Sequence, residues 1–315
     1  VLRLEEVDVP EPGAGRLRIR VRAAAANLPD VMLARGTYPL RPESGPFVPG
    51  LEAAGVVDAV GGEVDRDVLG ARVVGVTELP HGAFAEFAII PADRVYRIPD
   101  GIADVDAVAT LIAFQTAHVA LHRRGRLAPG ETLVVLGAAG GVGSAAVQLG
   151  RNAGARVVAV AGGDAKLQRC RELGADVVVD SQGDGIVDRL RDAVGPHGAD
   201  VVFDPVGGEA HAAAVSVLAT DARVLLVGFA SGLPRVDPGS VLRASYGVLG
   251  VYVGAYSNDD AGREYLRDVQ ESIFDDLRAG RIRSVVDRTV SLDQVVPALE
   301  DLAARRVTGK IIVLP

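Results

Sequence analysis

The stretch Leu133-Val134-Val135-Leu136-Gly137-Ala138-Ala139-Gly140-Gly141-Val142-Gly143-Ser144 decides the fold. Four apolar residues run into a cluster of glycine and alanine, and an apolar pattern of helical period follows. That order predicts a strand over Thr132–Leu136, a tight turn, and a helix over Gly143–Ala153. Ala138, Gly140 and Gly143 keep the spacing of the glycine fingerprint that holds a dinucleotide pyrophosphate, with Ala in the first place. A residue without a side chain at 140 lets the backbone approach the phosphates. Gly143 lets the helix pack close to the sheet, and Gly141 and Val142 complete the loop. The helix N-terminus offers unpaired N–H groups and a partial positive charge to an anion. A glycine pattern alone is weak evidence. Its position between strand and helix, with a second strand over Arg156–Ala161, makes it specific.

That second strand bears on which dinucleotide is preferred. Where the 2′-hydroxyl of NAD is held, an acid stands at the strand tip. Here the tip is Gly162-Gly163. A 2′-phosphate meets no repulsion there, and Lys166, one turn into the next helix, can pair with it. Asp164 is read as a helix cap rather than as the ribose-binding acid. NADPH is therefore the expected cofactor.

Outward from the loop the rhythm continues. Strands are predicted at Val177–Asp180, Val201–Asp204, Arg223–Val227 and Val248–Val253, and helices at Ala165–Leu173 and Ile186–Val194. Short apolar strands alternating with helices indicate an α/β fold, a doubly wound parallel sheet covered on both faces. Residues 1–106 lack this rhythm and read as β-rich. Strands are expected at Val1–Val7, Arg16–Val21, Leu51–Val60, Arg72–Thr77 and Phe84–Ile90, with a short helix from Pro29 to Arg35. A helical pattern over Val105–Leu121 leads into the α/β region. After it come helices over Asp259–Ala279 and Leu292–Arg305 and a last strand at Lys310–Leu314.

The whole chain has 315 residues, 49% of them hydrophobic and 23% charged, and carries a net charge of -8. That length suits two domains. An acidic chain with pI near 5.2 is poorly suited to hold nucleic-acid phosphates, which require clustered Lys and Arg. The single cysteine, Cys170, excludes an internal disulfide and a thiolate zinc cluster. No apolar run of membrane-spanning length lacks a charge, Gly or turn break, and no signal peptide is visible in the sequence. The expected partner is a small molecule, without nucleic acid or membrane, in the cytoplasm.

Several separated motifs stand in a fixed order. Beside the glycine loop these are Ala26-Asn27-Leu28-Pro29-Asp30, Arg35-Gly36-Thr37-Tyr38-Pro39, Pro49-Gly50-Leu51-Glu52-Ala53-Ala54-Gly55, Gln115-Thr116-Ala117 and Thr308-Gly309-Lys310. Together they resemble the quinone oxidoreductase branch of the zinc-independent medium-chain dehydrogenase/reductase superfamily, over essentially the whole chain. The resemblance implies a GroES-like catalytic domain formed by both chain ends (1–106 and 256–315) and a Rossmann domain between them (107–255). It also implies an active cleft at their junction and a homodimer paired through the last Rossmann strand. Zinc-dependent relatives carry Cys where Asn27 stands and His where Leu51 stands. Leu offers no donor and an amide is a poor ligand, so metal is not expected. The pair His118 and His122 has ligand spacing, but Arg123 and Arg124 beside it oppose a cation.

Without zinc, charge growing on the substrate oxygen needs hydroxyl or amide donors. Asn27, Tyr38 and Thr116 are the catalytic candidates, and Asn27 and Thr116 also resemble positions beside the nicotinamide. Each has a plainer role open to it: a helix cap for Asn27, a loop anchor for Tyr38, a back-bonded helix residue for Thr116. Met32 stands where some relatives carry a Tyr, so no tyrosine proton donor is expected there. Phe229 and Ala230, in the loop after the fifth strand, and Tyr252 in the last one, are expected to close over the cofactor. Lys310 completes the candidate cofactor set. The expected activity is hydride transfer from NADPH to a quinone or related conjugated carbonyl. The alternatives are an alkenal or enoyl-thioester reductase and, in another class, an NADPH-binding structural or RNA-associated protein. A long thioester would need a basic patch for its nucleotide, for which Arg41 is a first candidate, with no cluster evident around it.

Overall fold

The computed structural model describes residues 2–38 and 45–315. The chain divides into two compact units, Val1–Ile112 with Tyr256–Pro315, and Ala113–Ala255. Pro39 and Arg41 lie outside the described residues.

The first unit opens with β1 (Arg16–Ala26), α1 (Leu28–Ala34), β2 (Glu52–Val60), β3 (Arg72–Val76), β4 (Phe87–Pro91), β5 (Val95–Arg97) and α2 (Asp104–His118). The strand expected at Val1–Val7 does not form. Residues 2–12 join no ladder among the described residues, and Leu4, Val7 and Val9 are exposed. A strand needs a neighbour to pair with, and none of the described strands pairs with this segment. β1 alternates at first, with Leu17, Ile19 and Val21 buried. It then runs buried from Ala23 to Ala26, since the sheet is covered on both faces. Ala24 and Ala26 join one core, with Val31, Ala298 and Leu299, while Ala23 and Ala25 join the other, with Val108, Leu111 and Phe274.

The helix begun by α2 continues through a π-helical stretch, Val119–Arg124. It is long and apolar enough to cross a membrane by length and composition, yet 67% of its apolar window is buried inside the protein. This is how a core helix behaves.

The second unit contains β6 (Thr132–Leu136), α3 (Gly141–Asn152), β7 (Arg156–Ala161), α4 (Asp164–Glu172), β8 (Val177–Asp180), α5 (Ile186–Val194), β9 (Ala199–Asp204), α6 (Gly208–Val215), β10 (Leu218–Leu226), α7 (Pro238–Ala244) and β11 (Gly247–Gly250). The parallel sheet has the order β11-β10-β9-β6-β7-β8. Numbered within the unit, this is the six-stranded order of a dinucleotide-binding sheet, reversing direction between β6 and β9. Val134, Val158, Val202 and Val224 sit side by side in the register and build one core face. The last strand is shorter than expected and stops at Gly250, so Tyr252 lies beyond it.

The chain then returns to the first unit through α8 (Asp260–Arg278), β12 (Val286–Ser291), α9 (Val295–Ala303) and β13 (Lys310–Leu314). Its sheet has the order β12-β13-β1-β2-β3-β5, with β4 also paired to β1. The molecule is thus an α/β protein with a Rossmann-like parallel sheet and a separate mixed sheet.

Candidate functional site

In the second unit the segments carrying the expected glycines, Lys166, Phe229 and Ala230 follow the carboxyl ends of parallel strands. Gly137 leaves β6 in the left-handed region, at φ +60°. Gly140 caps α3, and the helix starts two residues earlier than the sequence pattern suggests, at Gly141. Gly141 and Val142 are therefore its first residues and carry N–H groups without intrahelical acceptors. A Cβ added at Gly143 would lie 2.2 Å from the Gly137 carbonyl oxygen, so only glycine permits this approach of helix to strand. The left-handed residue is Gly137, which explains why Ala138 is accommodated. Ala138 is buried, with its N–H bonded to the Val160 carbonyl at 3.0 Å.

β7 ends at Ala161, and Gly163, at φ +86°, caps α4. Asp164 is the first helical residue and no side chain caps this end, so the capping expectation for Asp164 is not met. Lys166 lies on the first turn, its N–H bonded to Gly163 O. The sequence reading missed Asp180. Its carboxylate, from the end of β8, accepts from Gly163 N at 3.1 Å and Gln182 N at 3.0 Å. Those two N–H groups hold its pKa below the ordinary carboxylate value. An acid does stand near the β7 tip, turned toward backbone donors. Ser181 and Gln182 face Gly162, where a Cβ would meet both at 3.3 Å.

The Phe229 loop is tied to the turn after β9. Ala230 N donates to Pro205 O at 3.2 Å and Ser231 N to Val206 O at 2.7 Å. The turn is itself held by Asp204, fully buried, whose carboxylate accepts from Val206 N, Gly207 N and the His211 ring, each at 2.8 Å. Nothing in the spacing of Asp204 and His211 signals this role. Pro205 and Val206 also flank Gly137, so the turn borders the fingerprint loop at the point where strand order reverses. Phe229 is 38% exposed and Tyr252 54% exposed, so both rings are accessible. Thr116 is half-buried, and its hydroxyl makes no hydrogen bond to another described residue, unlike Thr110, which back-bonds to Asp106 O. The back-bonded role considered for Thr116 is therefore not taken up. His118 and His122 have ring centroids 4.6 Å apart, and burial lowers the His122 pKa. Cys170 is fully buried in α4, which pushes its thiol up to about 11.

A cavity of about 540 Å³ opens at the other edge of the same sheet, lined by Arg123, Arg124, Arg126, Arg223, Glu131 and Leu249. The arginines here include Arg123 and Arg124, which the sequence shows beside His122. Arg223, however, forms a bidentate pair with Glu131 at 2.7 Å, and Arg124 donates to Gly250 O.

In the first unit the strand registers bring three distant residues to one face. β13 runs antiparallel to β1 with Ala26 opposite Ile311, which sets Lys310 across from Asn27. β2 pairs with β1 at Ala24 and Ala53, which sets Glu52 across from Ala25. Residues opposite each other share a face, as do residues two apart on a strand. The Lys310 ammonium lies 2.6 Å from Glu52 Oε1 and 2.6 Å from Asn27 Oδ1. Asn27 Nδ2 donates to Glu52 Oε1 at 2.9 Å and to Ala25 O at 3.1 Å, and Glu52 Oε2 accepts from Ile112 N at 2.9 Å. Glu52 is fully buried and Lys310 is 4% exposed. Beside them, Asp30 accepts from Asn27 N at 2.8 Å and Gly50 N at 3.1 Å. Burial pushes its pKa up to about 7 against these two hydrogen bonds and the Lys310 charge. Asn27 is thus the N-cap residue of α1, as one reading expected, but its side chain serves the ion pair. Tyr38 is half-buried in the bend after α1.

These residues do not fit a zinc site. The Asn27 amide is occupied by Glu52, Lys310 and Ala25, Leu51 has no donor, and a fixed ammonium 2.6 Å from Asn27 repels a cation. Among the described residues no group of three or more His, Cys, Asp or Glu could hold a metal ion.

The geometry can be set beside known proteins. Residues 13–100 match the alcohol dehydrogenase GroES-like domain family, and residues 141–270 match the family described as zinc-binding dehydrogenase. The quinone oxidoreductase-like protein 2 homolog of Nematostella vectensis is 31% identical, covering 96% of this chain and 82% of that protein. Erythronolide synthase of Saccharopolyspora erythraea is 36% identical over 97% of this chain, which spans 8% of that protein's length. The crystal structure of the Escherichia coli quinone oxidoreductase complexed with NADPH superposes with a TM-score of 0.91 at 27% identity, covering 99% of this chain and 95% of that one. The chain belongs to the quinone oxidoreductase branch of the medium-chain dehydrogenase/reductase superfamily, and it is an oxidoreductase.

Proposed function

We propose that the chain binds NADPH on the Gly137–Gly143 loop and passes its hydride to a quinone or related conjugated carbonyl, without zinc. The observation that carries this reading is the loop itself. A left-handed Gly137, a capping Gly140 and a Gly143 in contact with the Gly137 carbonyl leave a cradle free of side chains at a helix N-terminus. The NADPH complex of the E. coli relative supports the choice of cofactor.

NADPH, when bound, supplies the hydride. The chain's own residues bind and orient. Ala138, Gly140, Gly141, Val142 and Gly143 accept the pyrophosphate against backbone N–H groups. Gly162 and Gly163 leave room for the 2′-phosphate, and Lys166 neutralises it. Phe229, Ala230 and Tyr252 cover the dinucleotide and exclude water. The Thr116 hydroxyl and Tyr38 serve the acceptor as hydrogen-bond donors, and Asn27 orients a ligand group. No acid of the chain is required, since a hydroquinone anion takes its proton from water. A homodimer joined through the open edge of β11 belongs to the same reading.

An alkenal or enoyl-thioester acceptor is the second reading, favoured by the likeness to a stretch of a large synthase. The arginine-lined cavity gives it no support. It opens at the amino ends of the strands, whereas the fingerprint loop lies at the carboxyl ends.

NADPH oxidation followed against a panel of quinones, enals and enoyl thioesters decides between these readings. Quinone turnover by protein shown to contain no stoichiometric zinc is the expected result. Turnover of thioesters alone would move the assignment to the second reading, and zinc bound one per chain would end the metal-free one.

A further inference from the structure

We propose that Glu52 and Lys310 are positioning residues that fix Asn27 as an acceptor, so that it meets an N–H or O–H of its ligand and does not donate to a developing oxyanion. This rests on the functional reading above and assigns the polarity of one group within it.

The argument is one of donors and acceptors. An asparagine amide is normally ambiguous, because its oxygen and nitrogen can exchange places by a flip. Here the surroundings permit one orientation. Lys310 carries only donors, so the atom 2.6 Å from its ammonium must be Oδ1. The Glu52 carboxylate and the Ala25 carbonyl accept only, so the atom facing them must be Nδ2. Both N–H bonds of Asn27 are thereby used inside the protein. The Asp30 N–H also faces the Asn27 side chain in the capping box of α1, but it makes its hydrogen bond to the Asn27 main-chain carbonyl at 3.0 Å, so what the amide retains for a ligand is acceptor capacity on Oδ1. Lys310, counted among the cofactor residues on sequence grounds, has its ammonium committed to Glu52 and Asn27 in a nearly closed pocket. It therefore acts through Asn27. The pair also keeps its own charges satisfied. Glu52 Oε1 receives Lys310 and Asn27, and Oε2 receives the Ile112 N–H.

The test uses the full chain in two measurements. In the first, ¹⁵N spectra follow the Asn27 side-chain NH₂ pair, identified by its loss in Asn27→Ala. In the wild type this pair is expected to be protected from solvent exchange, and in Lys310→Met the protection is expected to fall about tenfold or more. Equal protection in both would overturn the proposal, whether or not any acceptor is turned over. The second measurement is a kinetic cycle with a quinone acceptor. Lys310→Met is expected to lower kcat/KM for the acceptor about tenfold to a hundredfold, with the NADPH Kd within about twofold. Asn27→Ala combined with Lys310→Met is expected to lose no more than Asn27→Ala alone, because the lysine works only through the amide. Losses that multiply would show Lys310 acting independently and would overturn the proposal. If Lys310→Met fails to fold, Glu52→Gln with Lys310→Met removes both charges together and replaces it in the cycle, with the same expected and contrary results. A wild-type chain inert toward every acceptor would refute the functional reading, while the amide spectrum would still decide the positioning claim.

Discussion

The fingerprint loop of the parallel sheet and the charged pocket of the mixed sheet are built by opposite means. The loop works by omission: glycines at 137, 140 and 143 clear space, and the main chain does the binding. The pocket works by enclosure. Asn27, Asp30, Glu52 and Lys310 crowd polar groups into a nearly dry space, and each has a partner. A site of the first kind is sensitive to added volume. A site of the second kind is sensitive to removing a single partner, because the others stay buried without it.

The largest expected effect follows from that asymmetry. Lys310→Ala leaves the Glu52 carboxylate buried and uncompensated, and should cost about 3–5 kcal/mol in urea unfolding. A loss under about 1 kcal/mol would mean that water reaches the pocket.

A comparable effect should appear with pH. Asp30 is raised from 3.8 to about 7 in the folded chain, so between those values the folded state binds more protons than the unfolded one. Its contribution is present in full below about pH 4 and is lost as pH climbs through about 7, a swing on the order of 4 kcal/mol. Unfolding free energies measured from pH 4 to 8 should fall along this limb in the wild type. The limb should flatten in Asp30→Asn, and an unchanged slope would place the titration elsewhere.

On the loop side, Gly143→Ala sets a Cβ against the Gly137 carbonyl and should weaken NADPH and NADH alike, about a hundredfold each, in fluorescence titrations. The smallest effect sharpens the contrast between main-chain and side-chain binding. Lys166→Ala should weaken NADPH about tenfold or somewhat more while leaving NADH nearly unchanged. Equal losses for both cofactors would show that Lys166 supports the loop instead of reading the 2′-phosphate.

The same opposition explains what the sequence discloses. Glycines that clear a loop are neighbours in the chain, and their spacing survives as a pattern, so β6, the loop, α3 and β7 are legible from residues 132 to 161. The alternation of strands and helices extends that legibility to the whole parallel sheet. The pocket is written in residues 25 and 283 positions apart. Only strand register brings Glu52 and Lys310 to Asn27, so the sequence suggests helix capping for Asn27 and cofactor contact for Lys310, and shows Glu52 only as part of a motif, with no role of its own. Asp180 and Asp204 escape for a related reason. Each receives backbone N–H groups whose positions depend on where a strand stops. The strand expected at Val1–Val7 errs the other way: its apolar residues suggest one, but among the described residues no strand pairs with it.

Cys170 has a practical consequence for all of these measurements. The only thiol of the chain is sealed inside the second unit and held in its protonated form. A cysteine introduced at an exposed position would therefore be the one reactive sulfur in the molecule. Spin labels, fluorophores or crosslinkers can be placed singly on either unit, with no need to engineer the native residue away.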